Sequence, residues 1–173
     1  MDLESFIRDV PDFPKKGILF KDITPLLGNA AALKETVRRL VKPYARRGVE
    51  VVTGVESRGF IFAALAAAQL NAGFVPIRKP GKLPAETISE SYELEYGTDT
   101  VEVHADAVRA GQKVLMVDDL LATGGTMAAA CRLVEKLGGE IVGVTFVIEL
   151  SFLGGRAKLP GYDVRSLIDV RGS

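Results

Sequence analysis

The chain has 173 residues, of which 47% are hydrophobic and 25% charged, and these proportions are ordinary for a globular protein. Its 22 Lys and Arg residues balance 22 Asp and Glu residues, so it lacks the basic excess of a general nucleic-acid-binding protein. With one Cys and one His, it can form neither an internal disulfide bond nor a zinc site of His and Cys ligands. At about 150 residues per domain, the length predicts one domain over residues 1–173.

The sequence carries no pattern typical of a signal peptide or a membrane-spanning helix. The first ten residues are acidic and contain no apolar core, unlike a signal peptide. The longest apolar run, Gly59–Ala68, has ten residues, whereas crossing a bilayer takes about 20. We therefore expect a soluble, cytoplasmic protein that contacts no membrane and no nucleic acid, and small-molecule chemistry is the favoured class of function.

Regular elements alternate along the chain. The pattern predicts a short helix over Asp2–Arg8, then a loop imposed by prolines and a glycine, then a helix from the N-cap Asn29 to about Arg47, kinked at Pro43. The further predicted elements are strands at Val49–Val55, Gly73–Lys79, Lys113–Val117, Ile141–Leu150 and Arg165–Val170, and helices at Phe60–Leu70 and Gly125–Leu137. Strands that alternate with such helices indicate an α/β fold with a parallel sheet covered on both faces.

Residues 80–103 break this alternation. They carry Thr, Ile, Tyr and Val in rough alternation, with glycines at the turns, which predicts an antiparallel hairpin outside the main sheet. Because an excursion of this length in a compact domain is usually functional, we expect the hairpin to act as a lid.

The segment Val114–Thr126 carries the strongest chemical signal. A buried apolar strand ends in two adjacent acids, Asp118 and Asp119, and small residues then lead into a helix. Ligands bind at the carboxyl ends of parallel strands, and the backbone N–H groups of a helix N-terminus attract anions. The sequence therefore predicts a phosphate cradle beside two carboxylates suited to the hydroxyls of a phosphosugar. The cradle residues are Ala122, Thr123, Gly124, Gly125 and Thr126.

This unit of strand, two acids, loop and helix resembles the phosphoribosyltransferase family, whose members bind 5-phosphoribosyl 1-diphosphate with it. Further segments resemble, in order and spacing, blocks of the short bacterial members of that family that use adenine. These segments are Phe13–Pro25, Val55–Phe60, Ile77–Pro84 and Tyr92–Gly97. The resemblance implies a twisted, Rossmann-like parallel sheet of the type I enzymes with a hairpin lid over residues 80–103. It also implies formation of AMP and diphosphate from adenine and phosphoribosyl diphosphate, Mg²⁺ bound mainly through substrate and water, and a homodimer.

The resemblance also implies roles for residues outside the cradle. Glu95 would transfer a proton at N7 of adenine, and Tyr96 would help to close the lid over the reacting centre. Basic residues would hold the diphosphate, and the N-terminal segment of about residues 1–28 would help to bind the base. The diphosphate-binding residues would be Arg58, Arg78, Lys79 and Lys82, and the adenine-binding residues Phe20, Lys21 and Leu150. The Glu56–Ser57 peptide is expected to be cis.

Other interpretations stay open on the sequence alone. The enzyme could use another purine base, or the same fold could serve as a ligand-sensing regulator. A dinucleotide-dependent dehydrogenase is disfavoured because no GxGxxG motif is present. A hydrolase with Ser57 as nucleophile is disfavoured because Val55 replaces the first glycine of the G-x-S-x-G motif and His104 is the only possible base. For Phe20, a place in the hydrophobic core is the alternative to a place in a base pocket.

Overall fold

The computed structural model describes residues 1–172, and its centre is a parallel sheet of five strands. The strands are β1 (Arg8–Pro11), β2 (Leu19–Asp22), β3 (Val51–Val55), β4 (Gly73–Ile77), β5 (Thr87–Glu93), β6 (Thr98–His104), β7 (Lys113–Leu121), β8 (Glu140–Leu150) and β9 (Val164–Val170). The helices are α1 (Thr24–Gly28), α2 (Ala30–Val41), α3 (Arg58–Leu70) and α4 (Gly125–Lys136). The central sheet has the order β4–β3–β7–β8–β9 with every neighbouring pair parallel, which confirms the predicted fold class.

Helices cover both faces of this sheet. Along β7 the side chains alternate, as the pleat of a strand requires. Val114 and Met116 pack into one apolar cluster with α4 and the β5–β6 hairpin, whereas Leu115 and Val117 pack into a second cluster with α1, α2 and α3. Burial on both faces explains why this strand reads as a continuous apolar run.

The strand order places a topological switch point between β3 and β7. From β3 the chain crosses to β4 on one side, and from β7 it crosses to β8 and β9 on the other. Ligands of open α/β sheets bind in the crevice that such a switch leaves at the carboxyl ends of the strands. Arg58, which begins α3 after β3, and Asp118, near the end of β7, both lie at this edge.

The N-terminal prediction was wrong in part. The predicted helix over Asp2–Arg8 is only a 3₁₀ turn at Glu4–Phe6, and β1 follows it and pairs with β2 in an antiparallel hairpin. Pro11 is tolerated because it is the last residue of a strand in a two-stranded sheet.

The helix predicted from Asn29 to about Arg47 begins as expected and ends early. The side chain of Asn29 accepts a 3.0 Å hydrogen bond from the backbone N–H of Ala32, which confirms the N-cap. The α-helix ends at Val41 and continues as a 3₁₀ turn over Lys42–Tyr44. Pro43 accounts for the early end, because it has no N–H to donate to the preceding turn.

The hairpin predicted within residues 80–103 is formed by β5 and β6, which make a separate antiparallel sheet. Two backbone hydrogen bonds join it to the end of β4: Arg78 N–H donates to Glu102 O at 3.0 Å, and Glu102 N–H donates to Arg78 O at 2.7 Å. The base of the hairpin is thus fixed next to the basic segment that follows β4. Within residues 1–172, no helix is long and apolar enough to cross a membrane.

Candidate functional site

A cavity of about 340 Å³ lies at the carboxyl ends of β3 and β7. Most of the residues predicted to bind the phosphosugar and the diphosphate line it. These are Arg58, Lys79, Asp118, Asp119, Ala122, Thr123, Gly124 and Thr126. Residues from three separate stretches of the sequence therefore converge on one space.

The two acids lie inside β7 rather than after its end, which corrects the predicted strand boundary at Val117. β7 continues to Leu121 because its partner β8 also continues, and the pairing reaches Leu121 opposite Glu149. Asp119 is only 6% exposed. Burial, together with the adjacent Asp119 carboxylate, raises the pKa of Asp118 well above its usual range.

Arg58 connects the acids to the N-terminal segment. Its Nε lies 2.8 Å from Asp119 Oδ2, although the contact lacks the orientation of a hydrogen bond, and this oxygen has no hydrogen-bond partner among the described residues. The guanidinium also lies 5.0 Å from the ring centroid of Phe20, and Nη1 is 3.4 Å from the carbonyl oxygen of Lys21. The preceding Glu56–Ser57 peptide is cis, as expected.

The phosphate cradle is a glycine-dependent turn at the start of α4. Gly124 has φ +82°, which favours glycine, and a Cβ atom there would meet the backbone of Gly155. Gly155 in turn packs against Leu121 and the carbonyl group of Ala122. The cradle therefore rests backbone to backbone on the loop after β8, a contact that the sequence analysis did not predict.

The predicted basic cluster is held by an acid that the sequence analysis left without a role. Oε1 of Glu56 accepts hydrogen bonds from Arg78 Nε at 3.1 Å and from the Lys79 backbone N–H at 2.8 Å. The position of Glu56, next to the predicted anion-binding Arg58, was the available signal. Lys82 lies further along this loop, exposed and outside the set of residues that lines the cavity.

A second cavity, of about 630 Å³, lies beside the N-terminal hairpin. Lys21 and Leu150, two of the residues expected to bind adenine, line it together with Leu19 and Phe152. Phe20 is absent from this lining, and its half-buried ring packs edge-on against Phe13 with centroids 5.0 Å apart. Because β2 pairs with β1 alone, its other edge is left to offer backbone groups to a ligand within the described chain.

The structure does not bring Glu95 and Tyr96 to either cavity. Both lie at the tip of the β5–β6 hairpin, where Leu94 N–H donates to Gly97 O at 2.9 Å and closes the turn. Glu95 is exposed, and Tyr96 is 86% exposed. Their predicted catalytic roles therefore require the tip of the hairpin to move toward the cradle.

Within residues 1–172, no group of three or more His, Cys, Asp or Glu side chains is arranged to hold a metal ion. The carboxylate pair at Asp118 and Asp119 is the arrangement nearest to one at the cavity. A cation there would need ligands from a bound substrate or from water.

Comparisons with known proteins identify the family. A family model for the phosphoribosyl transferase domain matches residues 24–167. The chain is 55% identical over 168 residues to the adenine phosphoribosyltransferase of Christiangramia forsetii, and the match covers 97% of this chain and 98% of that protein.

Solved structures give the same result. The fold matches the crystal structure of adenine phosphoribosyltransferase from Thermoanaerobacter pseudethanolicus with a TM-score of 0.94 and 56% identity, covering 96% of this chain and 97% of that one. It matches the Saccharomyces cerevisiae enzyme with a TM-score of 0.90 and 41% identity, covering 95% of this chain and 96% of that one. The yeast enzyme was crystallised with adenine and D-2,5-dideoxy-2,5-imino-altritol 1,6-bisphosphate.

Proposed function

The chain belongs to the phosphoribosyl transferase family as a purine-salvage enzyme that forms AMP and diphosphate from adenine and 5-phosphoribosyl 1-diphosphate, and we propose which of its residues do so. The observation that supports the assignment is the convergence of the two acids, the cradle and Arg58 on one cavity at the switch point of the sheet. In this proposal residues 122–126 bind the 5-phosphate, and Asp118 and Asp119 bind the ribose hydroxyls.

The cradle suits a phosphate because its last two residues, Gly125 and Thr126, form the N-terminus of α4. The first N–H groups of a helix have no partner within the helix, and the helix dipole adds partial positive charge at that end. The hydroxyls of Thr123 and Thr126 add further hydrogen-bonding groups at the cavity. The small residues between them leave room for the phosphate oxygens.

Asp118 and Asp119 act on the ribose ring of phosphoribosyl diphosphate. Bond breaking at C1′ of the ribose develops oxocarbenium-like positive charge, as in the transfer reactions of glycosides. Asp118 and Asp119 fix the hydroxyls of the ring, and their negative charge favours the charge that develops on it. N9 of adenine attacks C1′, and diphosphate leaves from the opposite face.

The basic residues grip the leaving group. Lys79 lines the cavity. Arg78, the residue before it, donates a hydrogen bond to Glu56. Arg58 faces both the acids and the base-binding segment, so it can exchange its contact with Asp119 for one with diphosphate oxygens. Lys82 reaches the diphosphate only if the exposed loop that carries it closes on the substrate.

Mg²⁺ fits this site as an ion carried mainly by the substrate. Asp119 Oδ2, which contacts Arg58 but accepts no hydrogen bond within the described residues, is a hard oxygen ligand at the cavity, and Mg²⁺ prefers oxygen ligands while keeping several waters. In this proposal Asp118 and Asp119 assist its binding, directly or through water, and most of its ligands come from diphosphate and ribose oxygens. When bound, the ion neutralises negative charge on the leaving diphosphate.

Adenine occupies the space beside the N-terminal hairpin. Leu150 supplies apolar surface there, and the backbone near Lys21 supplies donors and acceptors for the base edge. The ring of Phe20, which lies against Arg58 outside this cavity, would contact the base only from the side of the first cavity. The β5–β6 hairpin then closes over the substrates. Glu95 transfers a proton at N7 of adenine, and Tyr96 keeps water away from the reacting centre. The exposure of both residues in the free protein supports a closing movement rather than a preformed site.

The proposal includes a homodimer in the cytoplasm. Two large apolar side chains on α3, Ile61 and Leu65, are exposed one turn apart, which supports a partner surface there. Light scattering at working concentration measures the molecular mass, and a value near twice the 18.5 kDa of the chain is expected.

The direct test measures product formation from phosphoribosyl diphosphate and Mg²⁺ with adenine, hypoxanthine, guanine or xanthine. We expect AMP from adenine and no turnover of the other three bases. Turnover of another base would contradict the base-pocket assignment while leaving the cradle intact. Tight binding of phosphoribosyl diphosphate without turnover of any base would favour a ligand-sensing regulator.

A further inference from the structure

Tyr92 of β5 lies beneath the phosphate cradle and is only 8% exposed. Its Cδ2 atom is 3.1 Å from the position that a Cβ on Gly125 would occupy, so the ring packs directly against the cradle backbone. The hydroxyl accepts hydrogen bonds from Thr126 Oγ1 at 3.0 Å and from Lys79 Nζ at 3.0 Å, and it donates to Asp99 Oδ2 at 3.1 Å. A phenol hydroxyl has one hydrogen and two acceptor lone pairs, and all three are used here.

The same cluster joins three separate parts of the chain. Asp99 of β6 stands opposite Tyr92 in the hairpin register and forms an ion pair with Lys79. Lys79 follows β4, and Thr126 lies in the first turn of α4. Although burial acts to lower the pKa of Lys79, its hydrogen bonds with Asp99 and Tyr92 outweigh that effect and raise it. The ammonium is therefore charged and held in place.

We propose that Tyr92 is a positioning residue for phosphoribosyl diphosphate, with its hydroxyl holding Thr126 and Lys79 at a fixed separation so that both ends of one substrate are gripped together. The inference rests on the roles proposed above for the cradle and for Lys79. Thr126 lies on the 5-phosphate side of the cavity, and Lys79 on the diphosphate side. No substrate atom needs to touch Tyr92 for this role.

The link between the two hydroxyls survives substrate binding. When the Thr126 hydroxyl turns its hydrogen toward a phosphate oxygen, its lone pair is free to accept from Tyr92. Tyr92 then releases Asp99, which keeps its ion pair with Lys79. The bond between Tyr92 and Thr126 persists with its direction reversed, so the threonine stays oriented while it binds the ligand.

The test is Tyr92→Phe, which keeps the ring packing and removes only the hydroxyl. We expect the KM for phosphoribosyl diphosphate to rise about fivefold, because the variant removes the hydrogen bonds that hold Thr126 and Lys79 in place. The KM for adenine and the thermal midpoint should stay near those of the parent enzyme. The matched control is Tyr162→Phe, which removes a hydroxyl that donates to Glu135 at 2.6 Å outside the cavity, and it should change neither KM.

A second variant separates this inference from the cradle assignment. Thr126→Val removes the threonine hydroxyl, and we expect it to raise the KM for phosphoribosyl diphosphate and to reduce the effect of Tyr92→Phe to less than about twofold when the two are combined. Full additivity of the two changes would overturn the role of Tyr92, and so would an unchanged KM in Tyr92→Phe alone. An equal rise of both KM values together with a lowered thermal midpoint would show a structural role and overturn it too. If Thr126→Val itself leaves the KM unchanged, the cradle assignment fails, and the inference fails with it.

Discussion

The backbone N–H of Asp119 donates a 2.8 Å hydrogen bond to Oδ1 of the preceding residue, Asp118. On its other side, the Asp118 carboxylate faces the start of α3, where a Cβ on Gly59 would lie 2.5 Å from the same oxygen. The backbone of Gly59 thus packs closely on the Asp118 carboxylate, and burial together with the neighbouring Asp119 raises the pKa of this carboxyl. The ligand-free protein therefore carries an acid that is costly to ionise.

Asp118→Asn is expected to stabilise the ligand-free protein while it abolishes most of the transfer activity. Because the pKa of Asp118 is raised on folding, its ionisation destabilises the fold progressively as the pH rises from the ordinary value of 3.8 through the raised value. The stability gained by the variant should therefore grow over that pH range, by about 1.4 kcal/mol for each unit of pKa shift. Urea denaturation at a series of pH values measures the gain.

The matched control for this prediction is Asp106→Asn, at an exposed aspartate in the turn after β6. Its stability difference from the parent protein should not grow with pH. A difference for Asp118→Asn that is equally independent of pH would contradict the raised pKa of Asp118.

Glu95→Gln is expected to lower kcat by about 10²–10⁴, the usual contribution of a general acid or base. The KM for phosphoribosyl diphosphate should change little, because Glu95 lies at the tip of the hairpin and outside the lining of the cavity. Steady-state kinetics of AMP formation measure both constants. Glu93→Gln, at an exposed glutamate two residues earlier, serves as the control and should leave kcat within about twofold. Equal losses in the two variants would remove the proton-transfer role from Glu95.

The cradle and the sheet could be predicted from the sequence because their signals are local. Asp118 and Thr126 belong to one uninterrupted run of strand, loop and helix, and each part carries its own residue pattern. The alternation of apolar strands and helices likewise predicted the parallel sheet. The roles of Glu95 and Lys82 came from a family resemblance instead, since neither residue differs chemically from its exposed neighbours.

The contacts that hold the site together join distant segments and could not be predicted. Tyr92 and Thr126 are separated by 34 residues, and nothing near either one indicates the other. The β1–β2 hairpin was missed because the prolines around it indicate a loop locally, whereas pairing across the turn decides the structure. The contact between Gly155 and Ala122 could not be predicted either, since only the fold brings the two residues together.

Gly155→Ala is expected to raise the KM for phosphoribosyl diphosphate about tenfold, because the new methyl group would collide with the carbonyl group of Ala122 and displace the cradle. Overpacking of this kind costs about 1–3 kcal/mol, part of which will appear as a lowered thermal midpoint. The KM for adenine should change less, since Leu150 and Lys21 line a separate cavity. Substrate titrations and thermal denaturation measure the three effects.

Gly73→Ala is the matched control for Gly155→Ala. A Cβ at Gly73 would come no closer than 3.8 Å to Glu50 O, an ordinary contact at the start of β4. It should leave both KM values unchanged. A parallel rise for the two alanine variants would contradict the support of the cradle by Gly155.

Arg156→Met is expected to destabilise the protein most strongly at neutral pH. Arg156 forms two 2.7 Å hydrogen bonds with the buried carboxylate of Glu149 and thereby lowers its pKa, with a further bond from Ser166. A lowered folded-state pKa contributes stability above the ordinary glutamate value of 4.5, and this contribution is lost as the pH falls through the lowered value. The deficit of the variant should therefore shrink as the pH falls from 7 toward 3.

Removing one partner of a fully buried ion pair costs about 3–5 kcal/mol, and because the Arg156 side chain is half exposed and Glu149 keeps its bond from Ser166, we expect Arg156→Met to cost less than that range. Arg38→Met on α2 is the control, because that arginine pairs with Glu35 at the surface, where solvent screens the attraction between the charges. Denaturation of both variants at pH 7 and near pH 3 measures how much unfolding free energy each one has lost relative to the parent protein. A deficit for Arg156→Met that is the same at both pH values would mean that packing of its side chain, rather than its charge, anchors the loop that carries Gly155.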